Sequence, residues 1–357
     1  MPRARKELVD LDATSYYHCI CRCVRRAFLC GEDHLTGKNY EYRKTWVVER
    51  LSELSQAFAI DIAAYAVMSN HYHVVLRVDQ DKANGLSEDE IIQRWQCLFN
   101  LPLLVERYKK GQTSSIAEAK KAKEIIEEWR ERLYDISWYM RCLNEYLARK
   151  ANEEDQCTGR FWEGRYKSQA LLDDAAVLTC MSYVDLNPIR ARMAETPETS
   201  EHTSIQQRIQ EWLQKTNEAE SKRKPNSLNN SKSVEPDNAR QDSPIPLMPL
   251  VDQKDDTHKN AIGYKALDYL QLVDWAGRVV RDDKKGAIGE AAPAILERLH
   301  LKPEAFLEFV KGKQVQQNTV CAVGSENNLH NYANKLNQKF VKGLSLAKQL
   351  YNPILVG

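Results

Sequence analysis

The sequence predicts an α+β protein, and three observations carry that expectation. First, Ile60–Met68 and His71–Val78 are two runs rich in apolar and β-branched residues, joined through Ser69-Asn70 in the manner of a hairpin. Second, further strand patterns stand at Tyr16–Val24 and within Cys157–Leu172. Third, most of the remaining patterned stretches have apolar residues at helical spacing.

Composition bounds the rest. In 357 residues, 43% hydrophobic and 28% charged content allow one large domain or two ordinary ones, each with a real core. The formal net charge is only +1, so a nucleic-acid role must rest on local patches. No apolar run approaches a membrane span, and the opening Met-Pro-Arg-Ala-Arg-Lys lacks the apolar core of a signal peptide, so a cytoplasmic protein with no membrane partner is expected. Nine cysteines without a secretory signal are expected as free thiols. Cys19, Cys21 and Cys23 alternate on the first strand and share a face. They lack the two-residue gap of zinc hairpins and have no matching second pair, so small buried core residues are expected there.

The elements follow in order. Tyr16–Val24 is a strand carrying His18 as a strand-face histidine. Arg22, Arg25 and Arg26 put positive charge near its end, which suits a solvated edge and a phosphate contact equally. Gly31–Lys38 is a polar loop, and Tyr42–Phe58 is a helix whose Trp46, Val47, Leu51, Leu54 and Phe58 form a core stripe. Beyond Asp79 the chain turns mainly helical, an insertion over about residues 81–152. Ser87 and Glu90 form a capping box at its start, and Ser114–Leu133 and Ile136–Lys150 are amphipathic helices. Asp173–Met193 is a helix with acidic residues suited to its N-terminal dipole, and it must end or kink at Asn187 because Pro188 follows. Residues 214–259, rich in Ser, Asn, Lys and Pro, are expected as a linker between a domain at 1–213 and a small all-helical module at 260–357. In that module Tyr264–Val280, Ala291–Leu301, Pro303–Lys311 and Asn328–Leu350 carry helical patterns.

Alternation on a strand puts His71 and His73 on one face, with Cβ atoms roughly 6–7 Å apart, close enough for both imidazoles to reach one metal ion. Two half-buried histidines would fit the same pattern, so the pair needs company. Tyr183 and Asn187 lie one helical turn apart, their Cβ atoms ~5–6 Å from each other. Two imidazoles and an amide oxygen can hold a divalent metal with open positions, which would polarise a phosphodiester. A phenol near its usual pKa of about 10 is a poor nucleophile unless metal or positive charge lies beside it. Its attack would leave a covalent phosphotyrosine and a free hydroxyl end. Arg160, Arg165 and Lys167 interleave with Phe161, Trp162 and Tyr166. Cations suit phosphates and aromatic faces suit unstacked bases, although an ordinary strand with an aromatic core face would read the same way.

Three stretches, Ser-Asn-His-Tyr-His-Val-Val-Leu, Gly-Arg-Phe-Trp-Glu-Gly-Arg-Tyr-Lys-Ser and Tyr-Val-Asp-Leu-Asn-Pro-Ile-Arg-Ala, stand in this order within about residues 14–195. Together they resemble the single-tyrosine HUH transposases, and most closely the REP-associated tyrosine transposases. The resemblance implies a central antiparallel sheet flanked by helices, built like an RNA-recognition or ferredoxin-like fold. It implies Mg²⁺ or Mn²⁺ as cofactor and single-stranded DNA with a hairpin as partner. It places the histidine pair on His71 and His73, the nucleophile on Tyr183 and the third metal-side residue on Asn187, where related enzymes often have the longer glutamine. The 5′ end would be held on tyrosine and the 3′ hydroxyl released. Arg160, Trp162, Arg165, Lys167 and Arg22 are the expected DNA-binding residues. The insertion is longer than in compact members, and the linker and C-terminal module are extra; the Leu-Val-Asp-Trp-Ala-Gly-Arg stretch there resembles the tail of larger members. Tyr139 and Tyr146 are expected to pack. Oligomeric state, monomer or homodimer, stays open. Two other readings compete: a non-catalytic DNA-binding regulator on the same fold, and a metal-dependent phosphodiesterase using water with Tyr183 structural.

Overall fold

The computed structural model describes residues 9–24, 29–32, 37–223, 244–252, 260–280, 292–312 and 321–352. Arg25, Arg26 and part of the Gly31–Lys38 loop fall outside them. Strand β1 (Tyr16–Arg22) leads through α1 (Arg43–Ala57) to the hairpin of β2 (Ile60–Val67) and β3 (His71–Val78). Helices α2 (Gln80–Asn84), α3 (Glu88–Gln96), α4 (Leu103–Lys109), α5 (Ile116–Leu133) and α6 (Ile136–Glu154) precede β4 (Lys167–Leu171). Then come α7 (Asp174–Asp185), α8 (Asn187–Arg190), α9 (Ser204–Arg223), α10 (Ala266–Val280), α11 (Ala294–Arg298), α12 (Pro303–Val310), β5 (Ala322–Val323), α13 (Glu326–Lys335) and α14 (Leu344–Leu350).

The sheet order is β2-β3-β1-β4-β5, antiparallel through β4, with β5 added in parallel. Strands β1 and β3 are thus central, as in the split βαβ pattern of ferredoxin-like folds, and the expected antiparallel sheet flanked by helices is present. Alternation sorts the two faces. Tyr17, Cys19, Cys21, Tyr72, Val74 and Leu76 pack with α1 and α6 through Val47, Leu51, Tyr139, Leu143 and Leu147. The three alternating cysteines are therefore small residues of this core. Trp95 stacks on Trp129 with centroids 4.9 Å apart in a smaller core among α3, α4 and α5, and the Ser87–Glu90 capping box opens α3.

The other face, with Val75, Ala64 and Ala66, packs on α7. Every side chain from Ala175 to Asp185 is buried, so α7 has no polar face and needs cover on both sides. The sheet covers one side. Tyr269, Leu272 and Trp275 of α10 and Phe306 and Phe309 of α12 share its core on the other. The C-terminal stretch is helical apart from β5, whose Ala322 and Val323 pair with Ala170 and Leu171. Asp173 joins the two parts: it caps α7 at Ala176 N (2.8 Å) and accepts from Ser325 N (2.8 Å) and the Tyr351 hydroxyl (2.7 Å).

Two stretches differ from expectation. Lys215–Arg223 continues α9 instead of opening a linker, and 244–252 lies against the sheet, with Met248 N donating to Ile62 O (2.9 Å). Arg208 donates to the carbonyls of Ala63 (2.8 Å) and Met248 (3.0 Å), holding this segment on the bulged edge of β2. The other linker residues, 224–243 and 253–259, lie outside the described ones. The helix expected over Asn328–Leu350 is two, because the chain turns at Asn337 (φ 52°) and Gly343 (φ 151°). A Cβ on Gly343 would stand 2.5 Å from the Ala322 carbonyl oxygen, so this close approach needs glycine.

Asp185 is fully buried at the end of α7 and accepts from the Ser204 and Tyr269 hydroxyls and from Ile205 N (3.0 Å). Burial pushes its carboxyl up to about 6. The charged form therefore costs stability above that pH and depends on its donors. Tyr269→Phe removes one donor and is expected to cost about 1–3 kcal/mol in urea unfolding at pH 7.5. The deficit should shrink at pH 5, where the carboxyl is protonated.

Candidate active site between strand β3 and helix α7

His71, His73, Val75 and Arg77 point to the α7 side of β3, and His18, Ile20 and Arg22 to the same side of β1. Near the end of α7, Tyr183 meets them. Its ring stands perpendicular to that of His73, with centroids 5.5 Å apart, and the His71 and His73 rings are 4.9 Å apart. The chain breaks at Leu186, and Pro188 follows in α8, so the kink expected at Asn187 falls one residue earlier. The Asn187 amide donates back to the Tyr183 carbonyl (3.2 Å). Its oxygen accepts from Arg190, whose guanidinium also lies 5.2 Å from the Tyr183 ring centroid and 3.5 Å from its hydroxyl.

His71, His73, Tyr183 and Arg190 open onto a cleft of about 530 Å³. Among the described residues, Arg22, Arg165, Lys167 and Arg190 line it with one carboxylate, Glu163. A chain of formal charge +1 thus concentrates four cations at one place. Irregular pairing beside β1, with Glu163 N donating to Arg22 O (2.9 Å), carries this stretch to the histidines. Arg190 and Glu163 were not singled out in the sequence. Arg190 is the arginine of the Asn-Pro-Ile-Arg stretch, and one turn's spacing from Asn187 was a usable signal for it.

The basic aromatic stretch divides. Phe161, Trp162 and Tyr166 are buried, while Glu163, Arg165 and Lys167 are exposed. Trp162 corrects the expectation that it contacts DNA. Its ring packs edge-on to Tyr72 and Phe161, its Nε1 donates to Asn144 O (2.9 Å), and it is only 9% exposed, so the indole is held in the core. Arg160 is exposed on the preceding turn and does not line the cleft. Tyr139 and Tyr146 lie in and against the core on the sheet's opposite face.

Burial dominates the electrostatics. It holds His18 and His71 down at about 4 and His73 well below the ordinary range, with Arg190 and Arg22 adding to the depression for His71 and His73. All three imidazoles are neutral at pH 7, the form that ligates metals. The His71 Nδ1 stands 2.6 Å from Asn70 Oδ1, and the buried His73 Nε2 has no hydrogen-bond partner among the described residues. An orphaned buried nitrogen beside a second imidazole is a donor set that fits a divalent cation. Asn187 fits less well, since Arg190 occupies its oxygen. Among the described residues no group of three or more His, Cys, Asp or Glu side chains is placed to hold one metal ion. Burial raises the Tyr183 phenol, while Arg190 and the Asn187 hydrogen bond pull it back down.

Among the described residues no helix is long and apolar enough to cross a membrane. No family model and no curated protein matches the chain. Among solved structures it is similar to a REP-associated tyrosine transposase bound to a REP hairpin, at a TM-score of 0.34 and 10% identity, over 58% of this chain and 86% of that one. That is a distant structural likeness and says nothing about activity.

Neutral buried histidines also set a pH dependence. Unfolded imidazoles take up protons near 6.5, whereas the folded His18 resists until about 4. Stability is therefore full above pH 6.5 and is lost as pH falls toward 4, by roughly 3 kcal/mol for His18 alone. Asp185 works in the opposite sense, but three histidines outweigh it. Denaturant unfolding from pH 7 to 4.5 should show a falling stability; a flat or rising curve would contradict the neutral site.

Proposed function

We propose that the protein is a metal-dependent DNA nickase and strand transferase of the single-tyrosine type, acting on hairpin-bearing single strands through a 5′-phosphotyrosine intermediate. The observation that carries this reading is the convergence of two neutral imidazoles and a buried phenol on one cationic cleft, from elements over a hundred residues apart. The motif resemblance points the same way.

In this reading Arg22, Arg165 and Lys167 hold the phosphate backbone, as cations lining a groove do. His71 and His73 would hold Mg²⁺ or Mn²⁺, which when bound would supply Lewis-acid polarisation of a phosphate oxygen. Tyr183 Oη attacks phosphorus, the P–O3′ bond breaks, the phenolic proton leaves to solvent and the 3′ oxygen takes up a proton. The products are a 5′-phosphotyrosine and a 3′ hydroxyl, and attack by a 3′ hydroxyl on the adduct rejoins the strands. Arg190 favours the phenolate and stands ready for the developing phosphate charge. Asn187 joins the donor set only by releasing Arg190.

One observation favours a regulator that binds DNA without cutting it. Tyr183 is only 2% exposed, and Phe309 of α12 stands against its ring with centroids 6.0 Å apart. Incubation with Mg²⁺ or Mn²⁺ and a labelled hairpin-bearing oligonucleotide separates the readings. A covalent adduct that Tyr183→Phe abolishes is expected. Cleavage that survives the substitution means a water-using phosphodiesterase, and binding without cleavage or adduct means the regulator.

The division of the basic stretch has its own test. Replacing both Arg165 and Lys167 with alanine should weaken single-strand binding at low salt and reduce the slope of log affinity against log salt by about 1.4, two phosphates' worth. Trp162→Phe should leave both unchanged in the folded protein. Unaltered affinity in the double variant would remove this stretch from the DNA surface.

A further inference from the structure

The histidine pair has a third member. His18 is 1% exposed and sits on β1 diagonally across from His73, because the register pairs Ile20 with His73. The two rings stack with centroids 5.2 Å apart and planes 15° from parallel, and His18 Nε2 lies 2.9 Å from His73 Nδ1. One proton is shared across that contact, and its side decides what His73 can do. If His18 donates, His73 keeps its proton on Nε2, a buried donor with no acceptor among the described residues, which is unfavourable. If His73 donates, its Nε2 is a bare lone pair, the group a Lewis acid takes. Gln169 stands directly opposite His18 on β4, and its side chain is buried. An amide carbonyl there can accept the Nδ1 proton that His18 holds in the second arrangement.

We propose that His18 is a positioning residue of the cation site: it holds His73 as the Nδ1–H tautomer and aims the Nε2 lone pair at a divalent cation. This rests on the reading of His71 and His73 as metal ligands. Gln169, His18 and His73 then form one relay across three strands, ending at the metal. His18 is not itself a ligand, because its Nε2 is committed to His73. Such outer partners fix ring orientation and ligand basicity in metal sites.

The test uses the full chain and Mn²⁺, with free Mn²⁺ followed by electron paramagnetic resonance. His18→Phe, which removes the acceptor, should weaken Mn²⁺ binding roughly 10–100-fold. His18→Gln, which restores an acceptor oxygen, should recover most of that loss. Nitrogen-15 spectra of the metal-free wild type should show His73 protonated on Nδ1, a readout that needs no variant to fold. Equal Mn²⁺ affinity in a folded His18→Phe protein, or His73 protonated on Nε2, overturns the proposal while leaving the proposed function intact. No Mn²⁺ affinity in the wild type overturns the cation site and this proposal together.

Discussion

A helix without a polar face governs this architecture. From Ala175 to Asp185 no side chain of α7 reaches solvent, and such a helix cannot stand on the surface of a sheet. It must be roofed. The chain supplies the roof from its C-terminal part, where α10 and α12 pack onto α7 and β5 extends the sheet beside β4. Asp173 at one end of α7 and Asp185 at the other each collect donors from distant segments. Two sequence-distant parts are thereby joined in a single core.

Burial of that helix also shapes the chemistry beside it. Tyr183 can reach the histidine strand because α7 lies flat on the sheet, and the same packing removes water from the imidazoles and keeps them neutral. Desolvation raises the phenol, and the cleft's answer is positive charge, with Arg190 nearest. In the proposed function, the cations that would assist a phenolate would also repel a metal ion, so neutral imidazoles and an anionic phosphate would belong to one electrostatic balance.

Labour is divided by face in two places. On β1 and β3 alternation gives the α1–α6 face cysteines, tyrosines and aliphatic residues, and the α7 face histidines. In the irregular 161–167 stretch the aromatic rings turn inward and the charges turn to the cleft. Trp162 belongs with Tyr72 and Asn144, and its apolar ring is worth more to the core than to a transient base.

Local pattern alone determined the hairpin, the shared face of His71 and His73, the capping box at Ser87, the one-turn spacing of Tyr183 and Asn187, and the break imposed by Pro188. Each depends only on residues within a turn or two of one another, where steric and hydrogen-bonding rules act directly. The partner that Asn187 takes, the side on which Trp162 lies, the break in the last long helical pattern and the hydrogen bond between His18 and His73 were decided by tertiary structure. They depend on which distant surfaces meet: Arg190 folding back over the kink, Asn144 reaching the indole, Ala322 passing Gly343, and a strand register setting two imidazoles side by side. No local spacing encodes such meetings, because they arise only when the whole chain buries its apolar surface at once.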